Sequence, residues 1–586
     1  MDMRWSMDEL YKSIDSKEFD NDLSLCDEKL SYISSWTKSN LNSYKDAKDK
    51  IENFLKMKID FLKVFTKLIT YANLSISVNA RNEEAIKSFE KLQIKYTEFT
   101  KPLVTFKSWI KLLDNLDSLV NSSDFLKEHE FYLKEIKLKS NYLLSDREEI
   151  IISKMINTGS KAWMKLYEKL VSTLLVDIDS EQLPLSVVRN LAYDKDKDIR
   201  KKAYEMELKS YKRIEDSSAS CLNGIKGEVI TLSSMRGFSS PLEETLINSR
   251  MDAETLDTMM SAVVEDLSSF HKYFKRKAEI LGHKNGLPFY DLFAPIGDID
   301  IKFTYKQAQD FIVDNFRTFS TNLSDFAYKA FKNKWIDAEP REGKSGGAFC
   351  SSIHSIGESR ILSNFDGSFS SVTTLAHELG HAYHGSLLSD QTILNTRYPM
   401  PIAETASTFC ETIVINAALS EANDKEALCI LESLVSDAGQ IVVDIYSRYL
   451  FESEVFKRRQ EAALSVDEFK EIMINSQKTA YGCGIDDKYL HPYMWIAKSH
   501  YYSSSRSFYN FPYTFGLLFA KGLYSQYLKL GSDFVKEYDN LLSYTGKDNI
   551  YNICKTAGFD IHSIDFWRES LALVKDNIDS FIIKSK

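Results

Sequence analysis

No proline occurs before residue 102, and only ten occur in all 586 residues. Proline breaks a helix from inside, so long stretches without it leave long helices open as the main building element. From about residue 20 to 235 the apolar positions recur at three and four, as in "KMKIDFLKVFTKLITYANL", with lysines and acids between them. This pattern predicts packed helical bundles, with a joint near "DIDSEQLPLSVV", where Pro184 follows a polar stretch. Glycine and serine rise over 336–372, and short runs such as "SRILSNF" predict a small sheet there in a chain that is otherwise mostly helical.

A chain of this length with 44% hydrophobic and 12% aromatic residues can build a large buried core. The 74 basic and 84 acidic residues give a net charge of -10, with no long basic run, which argues against nucleic acid as a partner. The N-terminal segment alternates apolar and acidic residues and does not read as a signal peptide, and "FGLLFAKGLYSQYL" is interrupted by Lys521 well short of a membrane span. A cytoplasmic protein without a membrane partner is expected. The seven cysteines are scattered and form no C-x-x-C pair, consistent with free thiols. "GKS" at 343–345 lacks the upstream glycine of a phosphate loop, since position 338 is alanine.

The stretch "TTLAHELGHAYH", residues 373–384, holds three of the chain's ten histidines. His377 and His381 are four apart and so project from one helical face, where two imidazoles can meet a single ion. Glu378 lies beside that face, placed to take a proton from an attacking water. "SSVTT" just before the motif can supply the helix cap. A catalytic zinc takes a third protein ligand, and Glu404, 23 positions after His381, opens the next helical run and is the candidate. Glu411 stands seven residues later on nearly the same face; by spacing it is equally a carboxylate supporting a ligating histidine or a solvated acid. Two imidazoles and a carboxylate suit zinc best, though cobalt or manganese could substitute. The reaction class that follows is amide hydrolysis.

Near the C-terminus, "YLHPYMWIAKSHYYSSSRSFYNFPYTFG" is rich in tyrosine and carries two histidines. It can be core, or it can serve the oxyanion of a tetrahedral intermediate, for which His500, Tyr509 and Tyr513 are the candidates.

Taken in order, "W-x-x-D-E-L-Y" at Trp5, "GKSGGAFCSS", "SRILSNFDGS", "HELGHAYH", "AETASTFCE" and "SHYYSSSRSFYNFPYTFG" give a chain that resembles the oligoendopeptidase F family, among the zinc peptidases that include thimet oligopeptidase. The resemblance implies a mostly α-helical ellipsoid divided by a deep channel, with one zinc per chain at its floor and a small β-sheet near the active site. It implies short unstructured peptides as substrates. His377, His381 and Glu404 would bind zinc, Glu378 would be the general base, and His500 with Tyr509 or Tyr513 would face substrate and oxyanion. "SRILSNFDGS" would be the strand along which the peptide backbone pairs. The chain departs from the thimet branch in its serine-rich, longer stretch after His500. The expected division is an N-terminal helical region over 1–110, an oligoendopeptidase F-type helical domain over 111–190 and a zinc peptidase catalytic domain over 191–586. The alternatives are a zinc carboxypeptidase-type exopeptidase and a peptide-binding protein without turnover.

Overall fold

The computed structural model describes residues 2–297 and 301–586. Helices dominate, and the contacts divide the chain into two compact units, each assembled from separated segments.

The first unit takes 1–141, 300–418 and 526–559. Its N-terminal part is built on the helices Lys17–Asn40, Ala47–Val78 and Glu83–Lys111. On Ala47–Val78 the buried residues Ile51, Phe54, Leu55, Phe61, Leu62, Phe65 and Leu68 follow the spacing of three and four read from the sequence. They meet the third helix through aromatic stacks, Phe54 on Phe106 at 3.9 Å and Phe61 on Phe99 at 4.5 Å. Each fully buried phenylalanine of this kind contributes about 2–3 kcal/mol by area alone. The same core includes Ile353, Ile393 and Leu394, so it extends to segments far along the chain.

The small sheet falls where the change in composition predicts it. Glu358–Leu362 is its central strand, parallel to Ile336–Asp337 on one side and antiparallel to Phe349–Ile353 on the other. The "GKS" lysine is structural. Lys344 is enclosed, its ammonium 2.8 Å from Asp337 Oδ1 and donating to the carbonyls of Asp337, Glu339 and Ser363.

The second unit takes 142–299, 419–525 and 560–586. Long helices again form it, including Glu215–Arg236, Ala253–Ile280 and Ile564–Lys584. Buried ion pairs tie distant helices together within it: Lys277 with Glu432 and Lys226 with Glu452, both at 2.6 Å. The expected joint near Pro184 is a hairpin of two short strands, Leu175–Ile178 and Glu181–Pro184. Its two turn residues, Asp179 and Ser180, both have positive φ, 51° and 70°. That conformation suits the right-handed twist of a tight hairpin, and with Asp-Ser in place of a glycine-containing pair the turn was not legible beforehand.

No described helix is long and apolar enough to cross a membrane.

Candidate active site

The motif helix spans Phe369–Leu387. Its cap is Ser368, which accepts from the Ser371 N–H and is itself held by the Asp366 carboxylate. The cap thus lies just upstream of the "SSVTT" segment expected to supply it. Within that segment Thr373 and Thr374 instead donate to the Ser370 carbonyl inside the first turns, leaving the cap to the "DGS" turn.

One turn apart on this helix, the His377 and His381 Nε2 atoms approach to 3.1 Å. Glu404 joins them from the junction between the short turn Met400–Ala403 and the helix Thr405–Glu421. Its Oε2 lies 3.2 Å from His377 Nε2 and 3.4 Å from His381 Nε2. Ligands about 2.0–2.1 Å from a tetrahedral ion are separated by about 3.3 Å, so this triangle has the dimensions of a zinc site. Among the described residues these three form the group whose donor atoms converge closely enough for a metal. The chemistry agrees, because imidazole lone pairs and a carboxylate facing one point repel unless a cation or proton lies between them.

Two further contacts hold this arrangement. Glu411 Oε1 sits 2.8 Å from His377 Nδ1, which settles the alternative left open by its spacing in favour of a carboxylate supporting the histidine. Ser407 Oγ donates to Glu404 Oε2 at 3.0 Å. Sequence reasoning missed Ser407, though its position three residues after Glu404 on a helix was the available signal. Burial pushes His377 down, but hydrogen bonds to Glu404 and Glu411 outweigh it and raise it to about 10. Burial opposes ionisation of Glu404 too, yet the two imidazoles hold its carboxyl well below the usual range.

Gly380 permits the approach of the two helices. A Cβ there would lie 2.5 Å from the Ala406 carbonyl oxygen, so only glycine lets the motif helix pack directly on the backbone that carries Glu404.

Glu378 is 5% exposed, and its Oε2 has no hydrogen-bond partner within the protein. Burial raises its carboxyl above the ordinary value, with the charges of His377 and His381 pulling the other way. A buried carboxylate oxygen without a partner beside a metal-type triangle is suited to hold and release a proton. His384 is a packed residue: fully buried, its Nε2 2.8 Å from Thr545 Oγ1 and its ring stacked 4.1 Å from Tyr398.

In the second unit His500, Tyr509 and Tyr513 form a cluster of their own. The His500 and Tyr509 rings stack at 5.1 Å, and the Tyr513 hydroxyl is 3.4 Å from that of Tyr509. Burial and the charges of Arg448, Lys498 and Arg506 lower His500, favouring neutral imidazole. Tyr501 and Tyr502 are core, the latter stacked 3.5 Å from Tyr167. Phe508, just before Tyr509, is held at φ 52° while its N–H donates to buried Glu452 at 3.0 Å.

The strand Glu358–Leu362 within "SRILSNF" is central: it pairs along its length with Phe349–Ile353 and at Ile361 and Leu362 with Ile336–Asp337, which leaves Phe349–Ile353 as an edge strand of that sheet. Phe349–Ile353 and Glu358–Leu362 both pack on the motif helix.

Comparison with known proteins agrees with this picture. The profile described as Oligopeptidase F matches residues 113–174, and that of Peptidase family M3 matches 190–573. Oligopeptidase PepF of Bacillus subtilis is 22% identical over 92% of this chain and 82% of its own length. Group B oligopeptidase PepB of Streptococcus agalactiae is 22% identical over 89% of this chain and 88% of its own. The crystal structure of oligoendopeptidase-F from Enterococcus faecium superposes with a TM-score of 0.70 at 17% identity, covering 96% of this chain and 100% of that one. A profile that spans well over half of the chain, on a helical fold with an H-E-x-x-H helix at its site, shows that this protein belongs to peptidase family M3.

Proposed function

We propose that the protein is a zinc-dependent oligoendopeptidase that hydrolyses internal bonds of short unstructured peptides in the cytoplasm, with one zinc per chain. The observation that carries it is the triangle of His377, His381 and Glu404, with sides of 3.1, 3.2 and 3.4 Å. When bound there, zinc supplies Lewis acidity toward the scissile carbonyl and the attacking water. Glu378 takes the proton of that water and passes it to the leaving amine, a role favoured by its burial and its raised carboxyl. Glu411 holds the His377 ring in the orientation that directs Nε2 inward. His500, Tyr509 and Tyr513 are the oxyanion donors that the family resemblance assigns, and lowering of His500 favours the neutral donor such a role needs. The substrate backbone pairs with the edge strand Phe349–Ile353, which gives affinity without strong side-chain selection. The division into 1–110, 111–190 and 191–586 is proposed as the order of modules along the chain; the second and third are close to the ranges matched by the two profiles.

The test is cleavage of peptides blocked at both ends and increasing in length, with and without chelator, with metal quantified on the same sample. Chelator-sensitive internal cutting that fades for long or folded substrates is expected. Trimming only of unblocked ends would instead make the protein an exopeptidase, and stoichiometric metal with no turnover would make it a binder.

A further inference from the structure

Of the two histidines in the tyrosine-rich stretch, the oxyanion reading uses His500 and leaves His491 without a role. His491 is buried, and its backbone is held by the Gln477 side chain, which accepts from the His491 N–H at 3.0 Å and donates to its carbonyl at 2.9 Å. The ring stands among Tyr204, Tyr211 and Phe289, with centres 5.9, 6.1 and 5.3 Å away. Neither ring nitrogen has a hydrogen-bond partner; Glu207 Oε1 stands 3.5 Å from Nε2, too far for a well-formed bond. A buried imidazole in that state is costly to fold and is ready to pair with whatever reaches it.

His491 lines a cavity of about 370 Å³ inside the second unit, together with Arg189, Glu207, Asp444 and Lys498. Aromatic rings complete the lining: Tyr193 lies 4.9 Å from Phe293, and Tyr204 lies 5.6 Å from Tyr290. Two carboxylates serve three cations here. Glu207 takes Arg189 Nε at 3.3 Å and the Tyr211 hydroxyl at 2.9 Å. Asp444 is paired with Arg448 and accepts from the Tyr481 hydroxyl at 3.3 Å. The Lys498 ammonium is left 3.9 Å from Asp444 Oδ2, beyond hydrogen-bond reach. Burial, joined by the charges of Arg448 and Arg189 against the pull of Asp444, brings Lys498 down to about 8. Arg200 adds no free charge to the lining, because it is paired with buried Asp291 at 2.7 Å. One positive charge therefore has no carboxylate of its own, in a cavity that also holds an unpartnered imidazole and several aromatic rings.

We propose that this cavity is a binding site for a small aromatic carboxylate, its charge on Lys498 and His491 and its ring among Tyr193, Tyr204 and Tyr290. A single negative charge balances the single unpaired cation, and a carboxylate gives Lys498 the charge-assisted hydrogen bond it lacks. Glu207 and Asp444 are already paired, so an ammonium finds no receiver and an aromatic acid without an amino group fits better than an amino acid. The site is independent of the peptidase reading, since the metal-type triangle belongs to the first unit.

The test is isothermal titration calorimetry of the zinc-loaded full chain with 3-phenylpropionate, 3-phenylpropanamide, phenylalanine and inorganic phosphate. The acid is expected to bind about tenfold more tightly than the amide or phenylalanine. Lys498→Met, shown to keep its thermal transition, is expected to lose that preference, and Lys498→Arg to keep most of it. Ala192→Phe, which fills the cavity from its lining and leaves the charges in place, is expected to weaken acid and amide alike. One equivalent of acid binding is expected to persist in Glu404→Ala. Binding that vanishes in Glu404→Ala, or that Lys498→Met and Ala192→Phe both leave untouched, lies at the metal centre or elsewhere and overturns the proposal. Absence of saturable binding shows a cavity that holds only water and overturns it too. Phosphate that binds as tightly as the acid overturns the aromatic part of the assignment. None of these readings requires a peptide to be cut, so the proposal and the peptidase reading fail separately.

Discussion

His377 has a carboxylate at each ring nitrogen, Glu411 at Nδ1 and Glu404 at Nε2, whereas Glu378, the next residue, has an oxygen with none. On the proposed function, the difference separates holding a metal from moving a proton. Glu378→Gln is expected to retain zinc and lose about 10²–10⁴-fold in kcat, read by steady-state kinetics with metal analysis on the same sample. Glu411→Gln is expected to weaken zinc by about 10–100-fold, measured by competition with a chromophoric chelator, because the supporting carboxylate no longer fixes the ring. His384 gives a pH signature of folding. Burial lowers it from 6.5 to about 3, so the folded chain keeps it neutral while the unfolded chain takes up a proton below pH 6.5. Stability present above pH 6.5 is therefore lost as pH falls toward 3, and Tm should decline less steeply over that window in His384→Phe, which retains the stack on Tyr398.

At the scale of the element, the motif helix was legible because the spacing of His377 and His381 projects onto one face at the helical period, whatever the helix packs against. Its partner was legible only as a candidate. The approach of the helix Thr405–Glu421 depends on Gly380, where a methyl group would meet the Ala406 carbonyl and the Ser407 Cα, at 2.5 and 2.7 Å. Gly380→Ala is expected to cost about 1–3 kcal/mol and to lower zinc occupancy, seen as a reduced Tm together with substoichiometric metal. The strand itself was legible and its neighbours were not. "SRILSNF" was recognisable as a strand, but which strands lie beside it is a long-range matter. The run of four buried residues Ser359–Leu362 belongs to a central strand, and with "SR" at its start the sequence hid that continuity.

For the whole molecule, the metal-type triangle and its supporting Glu411 draw on residues 377–411 of the first unit, a unit assembled from three stretches of chain. A metal that binds only the folded form stabilises all of it, by about 2.7 kcal/mol at a hundredfold excess over Kd. Chelator is therefore expected to lower Tm and added zinc to restore it, whereas in Glu404→Ala the two melting curves should nearly coincide. By itself the sequence determined the helical class, the H-E-x-x-H face and the family to which the chain belongs, because periodicity and motif spacing act over one or two helical turns and survive any packing. Only the tertiary structure decided which carboxylates meet the two nitrogens of His377 and which strand is left at the sheet edge. Those are distances between residues far apart in the chain, set by how the helices pack and not by any local repeat.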